Sequence, residues 1–485
     1  MPALEKTPNI GFIRTEVEEC LEVWDMVNHC SAGAKKVKEM GELYLPKPDS
    51  DNDQGKNDAK YKKFLKRAVF YPVTGRTLHG LNGQVFSKPV DLQLPPALAF
   101  LEEDVDGAGI SLTQQAKEAL SKTLKHGGCG LLTDAPATLA DDVVTREDVR
   151  LNKYRPKIVV YNRSQIINWR VNTKGGTTQL EMLMLYELAI AADDGYEFKY
   201  APRWREFRLE DGGLVVRLWK KKEGSEGSGQ VEFEQVGDDM FPTDVTQNRL
   251  QLIPFSFIGA TNNDEEVDEA PLAGLASLNI HHYMNSADYE WSTFIAGQPT
   301  PVFTGLTDAW VKGHIQGKVR LGSANAVSLP EGATASLLQA SPNTMPMEAM
   351  VHKEGQMLAI GAKLIESGKV QMTATEKIVD DVSAASVLST SAKNVGAGYE
   401  KAIGFCALFV DGADVGEVLV ELNSEFEIAA LNAAERAEVV LGWQAGALTF
   451  SEMRKVYKQK GIATLSDEEA IAELESQGFS TGELI

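Results

Sequence analysis

Four cysteines in 485 residues (Cys20, Cys30, Cys129 and Cys406) are too few and too scattered for a disulfide framework. They read as free thiols of a protein made in a reducing cytosol. No window approaches the roughly 18 apolar residues that span a bilayer, so no membrane partner is expected. The opening stretch, MPALEKTPNIGF, has no apolar core and no small-residue cleavage pattern, so no signal peptide is expected. Positive charge is also scarce. Lys and Arg total 48 against 69 Asp and Glu, a formal net charge of −21. That excludes a simple nucleic-acid binder, which would be basic, and attachment to anionic lipid by bulk charge.

The usual catalytic signatures are missing too. Gly317-Lys318-Val319 and Gly368-Lys369-Val370 lack both the Ser or Thr and the preceding Gly of a phosphate loop. There is no Cys-x-x-Cys, no His-Glu-x-x-His and no Gly-x-Ser-x-Gly. His281 and His282 are adjacent, about 100° apart on a helix, and do not converge on one metal. The glycine-rich stretch 224–229 follows three lysines and reads as a hairpin tip. Asp141-Asp142 and Asp380-Asp381 read as acids at element starts, where a helix dipole favours them. No enzymatic activity, metal or cofactor is expected.

What is present is ordered in blocks. Residues 11–41 read as one helix with Val17, Leu21, Trp24 and Asn28 on a stripe, and 45–59 as a polar loop. Lys60 to Lys88 holds seven basic residues and no acidic one, starting as an amphipathic helix with Phe64, Val69 and Phe70 inward. Its lysines read as a solvated face or as partners of acidic neighbours, with phosphate contact as the alternative. Ser111-Leu-Thr-Gln114 is a capping box opening a helix with Leu112, Ala116, Leu120 and Leu124 at spacing four. Residues 157–257 switch to short runs of period two, an antiparallel meander packed on helices.

Beyond residue 258, Pro271 starts a long helix over 271–296, roughly 40 Å at 1.5 Å per residue. Leu272, Leu275, Ile280, Tyr283, Ala287, Trp291 and Phe294 recur on it at helical spacing. From Leu250 to Val311 there are eight acidic residues and no Lys or Arg. A β- and turn-rich excursion (297–343), a second helix from Pro346, a polar loop (368–378) and a third long helix (379–411) follow. The three methionines near 345–350 read as packing residues. Leu419–Phe426 alternates as one more strand, and short capped helices close the chain. Helices that bracket a β excursion cannot bury both faces alone, and a closed ring of identical subunits would cover them.

This order resembles the portal proteins of tailed bacteriophages. Leu252-Ile253-Pro254-Phe255, then Asn262-Asn263 and an acidic run, is similar to that family's lead-in to its first stem helix. Gly446-Ala-Leu-Thr-Phe-Ser-Glu452 resembles its glycine-then-capped-helix turn. Tyr154-Arg155-Pro156 before a strand and Ile166-Ile167-Asn168-Trp169 after a short turn resemble a portal-like group of uncharacterised phage proteins. The resemblance implies an α+β portal fold. It places a wing at 1–260, the first stem helix at 261–296, a clip at 297–345 and the second stem helix at 346–367. A tunnel loop follows at 368–378, then a long helix and wing return strand at 379–426 and an α-helical crown at 427–485.

The function implied is a ring, usually of twelve subunits, at one capsid vertex of the virion, made in the host bacterial cytoplasm. Double-stranded DNA would pass through it without sequence preference during packaging and ejection. Its other implied partners are the terminase large subunit, then head-tail adaptor and tail proteins, with the major capsid and scaffolding proteins around it. Lys369, Gln371, Thr373, Thr375 and Lys377 of the tunnel loop would face DNA. Asp264, Glu265, Glu266, Asp268, Glu269, Asp288 and Glu290 would repel it along the stem, or form an ordinary solvated face. Two alternatives belong to other classes: a cytosolic α+β enzyme or ligand-binding protein around His281, His282 and Tyr283, and another phage head-tail adaptor.

Overall fold

The computed structural model describes residues 9–48, 54–134, 155–174, 176–222, 232–298, 300–312, 329–339, 344–365, 386–410, 418–426, 449 and 453–454, the side chains of 54–57, 174 and 177 excepted. The helices in chain order are α1 (Thr15–Glu18), α2 (Leu21–Ala32), α3 (Ala34–Glu39), α4 (Gln54–Arg67), α5 (Val73–Val85), α6 (Phe100–Glu103) and α7 (Leu112–His126). After the β meander come α8 (Ala273–Ala296), α9 (Asp308–Trp310), α10 (Met345–Lys363) and α11 (Val387–Cys406). The strands are β1 (Asp91–Gln93), β2 (Gly128–Asp134), β3 (Lys157–Asn162), β4 (Ile166–Lys174), β5 (Thr177–Asp193) and β6 (Phe198–Glu210). They continue as β7 (Gly213–Lys221), β8 (Phe233–Gln235), β9 (Phe255–Gly259), β10 (Thr300–Thr304), β11 (Thr334–Leu338) and β12 (Leu419–Glu421).

The chain forms two units, each discontinuous in sequence. One gathers 1–17, 80–269 and 362–485; the other gathers 18–79 and 270–361. Residues 18–79 therefore group with 270–361 and not with the rest of 1–260.

The first unit is mixed α and β, and its sheets are antiparallel. The meander divides into two: a three-stranded sheet in the order β3-β2-β9 and a five-stranded sheet β4-β5-β6-β7-β8. The capping box at the start of α7 forms in both directions, between Ser111 and Gln114. Leu112, Ala116, Leu120 and Leu124 are all buried. Against the small sheet lies α11, whose Leu388, Ala392, Val395, Tyr399, Ile403 and Cys406 are also buried. Polar groups fix the contact. Buried Gln115 accepts from the Tyr399 hydroxyl at 3.0 Å and donates to the Ile158 carbonyl at 2.8 Å. Thr133 donates to the Ala402 carbonyl at 2.8 Å. The return strand β12 pairs with β1, Leu92 opposite Val420.

In the second unit α2 and α4 pack on α8. The helix expected over 11–41 is in pieces, α1 to α3. Gly33 sits between α2 and α3 at φ 93°, which interrupts the helical path. Of the expected stripe Val17 and Trp24 are buried and Leu21 and Asn28 half-buried, and α2 also buries Val27 and Cys30. The loop expected over 45–59 ends earlier, since α4 starts at Gln54. Phe64 and Phe70 are buried as expected, but Val69 is exposed because its backbone N–H and carbonyl, not its side chain, turn toward Ser286. In the excursion, β10 pairs with β11, Val302 opposite Ser336.

Candidate functional site

Two adjoining stretches hold the acids expected to line a channel, and the structure treats them differently. Asp264, Glu265, Glu266, Asp268 and Glu269 precede α8, which begins at Ala273 close to the start expected at Pro271, and are not helical. The reason is local. Asn262 and Asp264 side chains cap backbone N–H groups two residues on, closing turns that compete with a helix. Asp268 accepts from the Thr261 N–H at 2.8 Å. Asp264, Glu265 and Asp268 are half-buried, Glu266 and Glu269 exposed. Only Asp288 and Glu290 lie on α8 itself, exposed and half-buried respectively.

That lead-in loop is held by a residue the sequence did not mark. Arg163 is 3% exposed, and its guanidinium donates to the carbonyls of Glu265 at 2.6 Å and Glu266 at 3.2 Å. It lies over the Trp169 ring at 4.4 Å, and Arg14 covers the same ring at 4.3 Å. Burial lowers the Arg163 pKa to about 10, so the group stays charged at neutral pH. On the other side, Asn263 and Asn394 tie the loop to α11. Asn263 donates to the Asn394 carbonyl and Asn394 to the Gly259 carbonyl, both at 2.8 Å.

Gly127 completes the loop's seat. It ends α7 in the left-handed region at φ 74°, and its carbonyl accepts from Ala260 N–H at 2.8 Å. A Cβ there would collide with the Asp268 carbonyl oxygen. Gly127→Ala is therefore expected to lower stability by about 1–3 kcal/mol, from backbone strain and a displaced loop. Urea unfolding of the variant checks this, and an unchanged midpoint would count against it.

Along α8 the expected stripe is real: Leu272, Leu275, Ile280, Tyr283 and Ala287 are buried, with Trp291 and Phe294 half-buried. Two polar residues interrupt it with a purpose. Asn279 accepts from the Thr74 N–H and hydroxyl at 3.2 and 2.9 Å, and donates to the Tyr71 carbonyl at 2.8 Å. Ser286 exchanges both hydrogen bonds with Val69. Their spacing of seven, two helical turns, was the available signal. Phe64 meets Trp291 edge-on at 5.9 Å, and Arg67 covers Phe294 at 3.8 Å. The basic helix α4 thus uses its one arginine on aromatic faces.

The residues of the enzyme reading do not converge. His281 is exposed and within 2.8 Å of the Ser277 carbonyl, whereas His282 is buried and 3.2 Å from Glu354 of α10. Tyr283 is packed edge-on against Phe70, and burial raises its pKa to about 12. Among the described residues no cluster of His, Cys, Asp and Glu could hold a metal, and no helix is long and apolar enough to cross a membrane. An open cleft of about 650 Å³ is lined by Gly212, Asp244, Arg249, Leu252 and Leu408, with no nucleophile beside a base.

The second helix of the pair differs in kind. On α10 only Met357 is buried, while Met345, Met347, Val351 and Leu358 are 48–74% exposed. Of the three methionines expected to pack, Met345 and Met347 are exposed and Met350 is half-buried. Lys369, Gln371, Thr373, Thr375 and Lys377 lie outside the described residues, as do 366–385 in general and most of 427–485.

Residues 271–410, from the start of α8 to just past α11, match the family model described as a domain of unknown function (DUF4055). No curated protein matches the chain. Among solved structures the chain is similar to one from the virion of a native gene transfer agent particle, at 12% identity and a TM-score of 0.35. That match covers 83% of this chain and 94% of the other. A chain from the neck of the native particle, computed with C12 symmetry, matches at 14% identity and a TM-score of 0.35, covering 81% and 91%. One from the neck of the empty particle, computed with C6 symmetry, matches at 12% identity and a TM-score of 0.34, covering 85% and 92%.

Proposed function

We propose that this chain is a phage portal protein: one subunit of a ring at a capsid vertex of the virion, through which double-stranded DNA is packaged and ejected. The observation that carries the reading is the order α8, β10–β11, α10 within one unit, with α10 leaving its apolar residues uncovered. A helix of that composition needs a neighbour, and a copy of the same chain in a closed ring supplies one at every interface. In this reading α8 and α10 are the stem helices and the strand pair is the base of the clip. The tunnel loop lies at 368–378. The clip takes the terminase large subunit during packaging and adaptor or tail proteins afterwards, while capsid and scaffolding proteins surround the ring.

The acidic balance supports a conduit more than a clamp. A channel must let DNA slide, and lysine-rich walls would hold phosphates. Twelve copies at −21 each repel DNA toward the axis. Chemistry belongs to a separate motor, so the purified protein hydrolyses no nucleotide; phosphate release above background would overturn that part.

Negative-stain electron microscopy with native mass spectrometry tests the whole. A ring of about twelve subunits with a central hole is expected. A monomer or dimer at high concentration would sink the reading.

A further inference from the structure

Many basic residues of this acid-rich chain meet acids. Lys47, Lys122, Arg155, Arg205, Arg217 and Lys222 each lie within ion-pair distance of a carboxylate. One surface departs from that pattern. On α4, Lys62, Lys63 and Lys66 are exposed, and none of the three pairs with an acid among the described residues. Asp58, the nearest acid in sequence, is held by Lys47 at 3.0 Å, and no acid follows before Lys88.

Helical geometry sets these lysines together. At roughly 100° per residue, Lys62, Lys66 and Lys63 fall within an arc of about 100°. Tyr61, Phe64 and Ala68 fall on the opposite side and are buried, Phe64 edge-on to Trp291 of α8. The lysines therefore face away from α8. The neighbouring helix α3 extends the surface. The Lys38 ammonium donates to the Lys66 carbonyl at 3.4 Å, which sets α3 beside the end of α4. Lys35 and Lys36 of α3 also have no acidic partner among the described residues. Like charges at i and i+4 destabilise a helix, so Lys62 and Lys66 gain the fold nothing.

We propose that this α3–α4 surface binds the phosphate backbone of double-stranded DNA without reading its sequence. Composition selects that partner. Between Ala34 and Glu39, and between Lys60 and Arg67, no large apolar side chain is exposed. Protein interfaces are depleted of lysine and enriched in aromatics and methionine. A helix lying on anionic lipid carries apolar residues beside its lysines. A phosphate backbone needs neither, only cations on flexible stems. Spacing agrees. Lys62 and Lys66 are about 6 Å apart along the helix axis, over which one DNA strand presents about two phosphates. The net charge of −21 does not cancel the patch, because exposed charges beyond a Debye length of about 10 Å are largely screened at 0.1 M salt. The choice of double-stranded DNA as the polyanion rests on the ring reading; the basic surface does not. In that reading the lysines face away from the stem helix, so DNA is held outside the stem, where grip does not hinder sliding.

The test is fluorescence anisotropy of a dye-bearing duplex of about 30 bp with the full-length chain, between about 50 and 200 mM salt. Lys62→Gln, Lys63→Gln and Lys66→Gln are combined in one variant; all three positions are exposed, and Gln keeps helix propensity. At the lower salt this variant is expected to lose affinity at least about tenfold, and its slope of log affinity against log salt to flatten by about 2.7. Arg at the same three positions should keep the affinity. As a control of equal charge change, Lys220→Gln, Lys221→Gln and Lys222→Gln together should stay within about twofold of the unsubstituted chain. Equal losses in the two Gln variants would overturn the inference, since bulk charge would then explain them. Undiminished binding by the α4 variant would overturn it as well, placing the contact elsewhere. So would an unsubstituted chain that ignores the duplex, which would leave the lysines to an acidic protein. If the chain is monomeric by native mass spectrometry but binds through these lysines, the surface stands and the ring reading falls. If it forms rings that ignore the duplex, the surface alone falls. If it is monomeric and ignores the duplex, both fall.

Discussion

Asp134→Ala is expected to lower the stability of the first unit by about 3 kcal/mol, among the larger single losses the described residues offer. Asp134, at the end of β2, accepts both guanidinium nitrogens of Arg205 on β6, at 2.8 and 3.0 Å. The pair is mostly buried, with side-chain exposures of 17% for Arg205 and 22% for Asp134. Glu187 stands 4.0 Å from the same arginine and accepts from Tyr161 at 2.7 Å and Arg203 at 3.0 Å. These residues come from β2, β3, β5 and β6, so the network joins the two sheets. Removing one partner leaves a guanidinium short of water and of its bidentate acceptor, which costs more than the intact pair contributes. The same logic gives the control. Asp134→Ala combined with Arg205→Met removes both charges and should recover most of the loss. Urea unfolding followed by tryptophan fluorescence measures the cycle. A loss under about 1 kcal/mol for Asp134→Ala, or no recovery in the double variant, would show that the sheets are joined by other contacts.

The second large effect is a loss of stability in acid that depends on His126. This histidine is in the last turn of α7 and is 2% exposed. Burial pushes its pKa down to about 3, with Lys125 and Lys122 adding repulsion. A helix C-terminus favours a cation by about 0.3–1 kcal/mol, which is too little to offset desolvation of this size. The folded pKa lies below the unfolded value of about 6.5. The contribution is therefore complete above pH ~6.5 and is lost as pH falls toward about 3, a total loss of roughly 3–5 kcal/mol. Carboxylates titrate over part of this range too, so the informative quantity is the difference between wild type and His126→Leu. Between pH 7, 5.5 and 4 the wild type should lose stability relative to the variant, because the variant lacks this proton uptake on unfolding. A difference that stays constant with pH would mean His126 is charged in the fold.

Much of the first unit was legible in advance because the signals are local. The capping box at Ser111, the spacing of Leu112 to Leu124 and the period-two runs from Ile158 to Gln235 each depend on residues a few places apart. The long helix from Ala273 to Ala296 and the strand at Leu419 were legible for the same reason. Where the reading failed, the deciding contact was far away or backbone-specific. The helix expected over 11–41 breaks between α2 and α3 because of a backbone angle at Gly33, and Val69 turned outward because Ser286, 217 residues on, takes its backbone groups.

The candidate site divides in the same way. Sequence alone determined which residues are acidic before and along α8, that a β excursion interrupts two helices, and that no local catalytic motif accompanies them. Only the tertiary structure decided that 18–79 pack with 270–361, that Arg163 seats the loop before α8, and that α10 keeps an apolar face bare. Periodicity reports which side of an element is apolar. Whether that side is covered depends on which distant segment arrives there, and no pattern along the chain encodes that arrival.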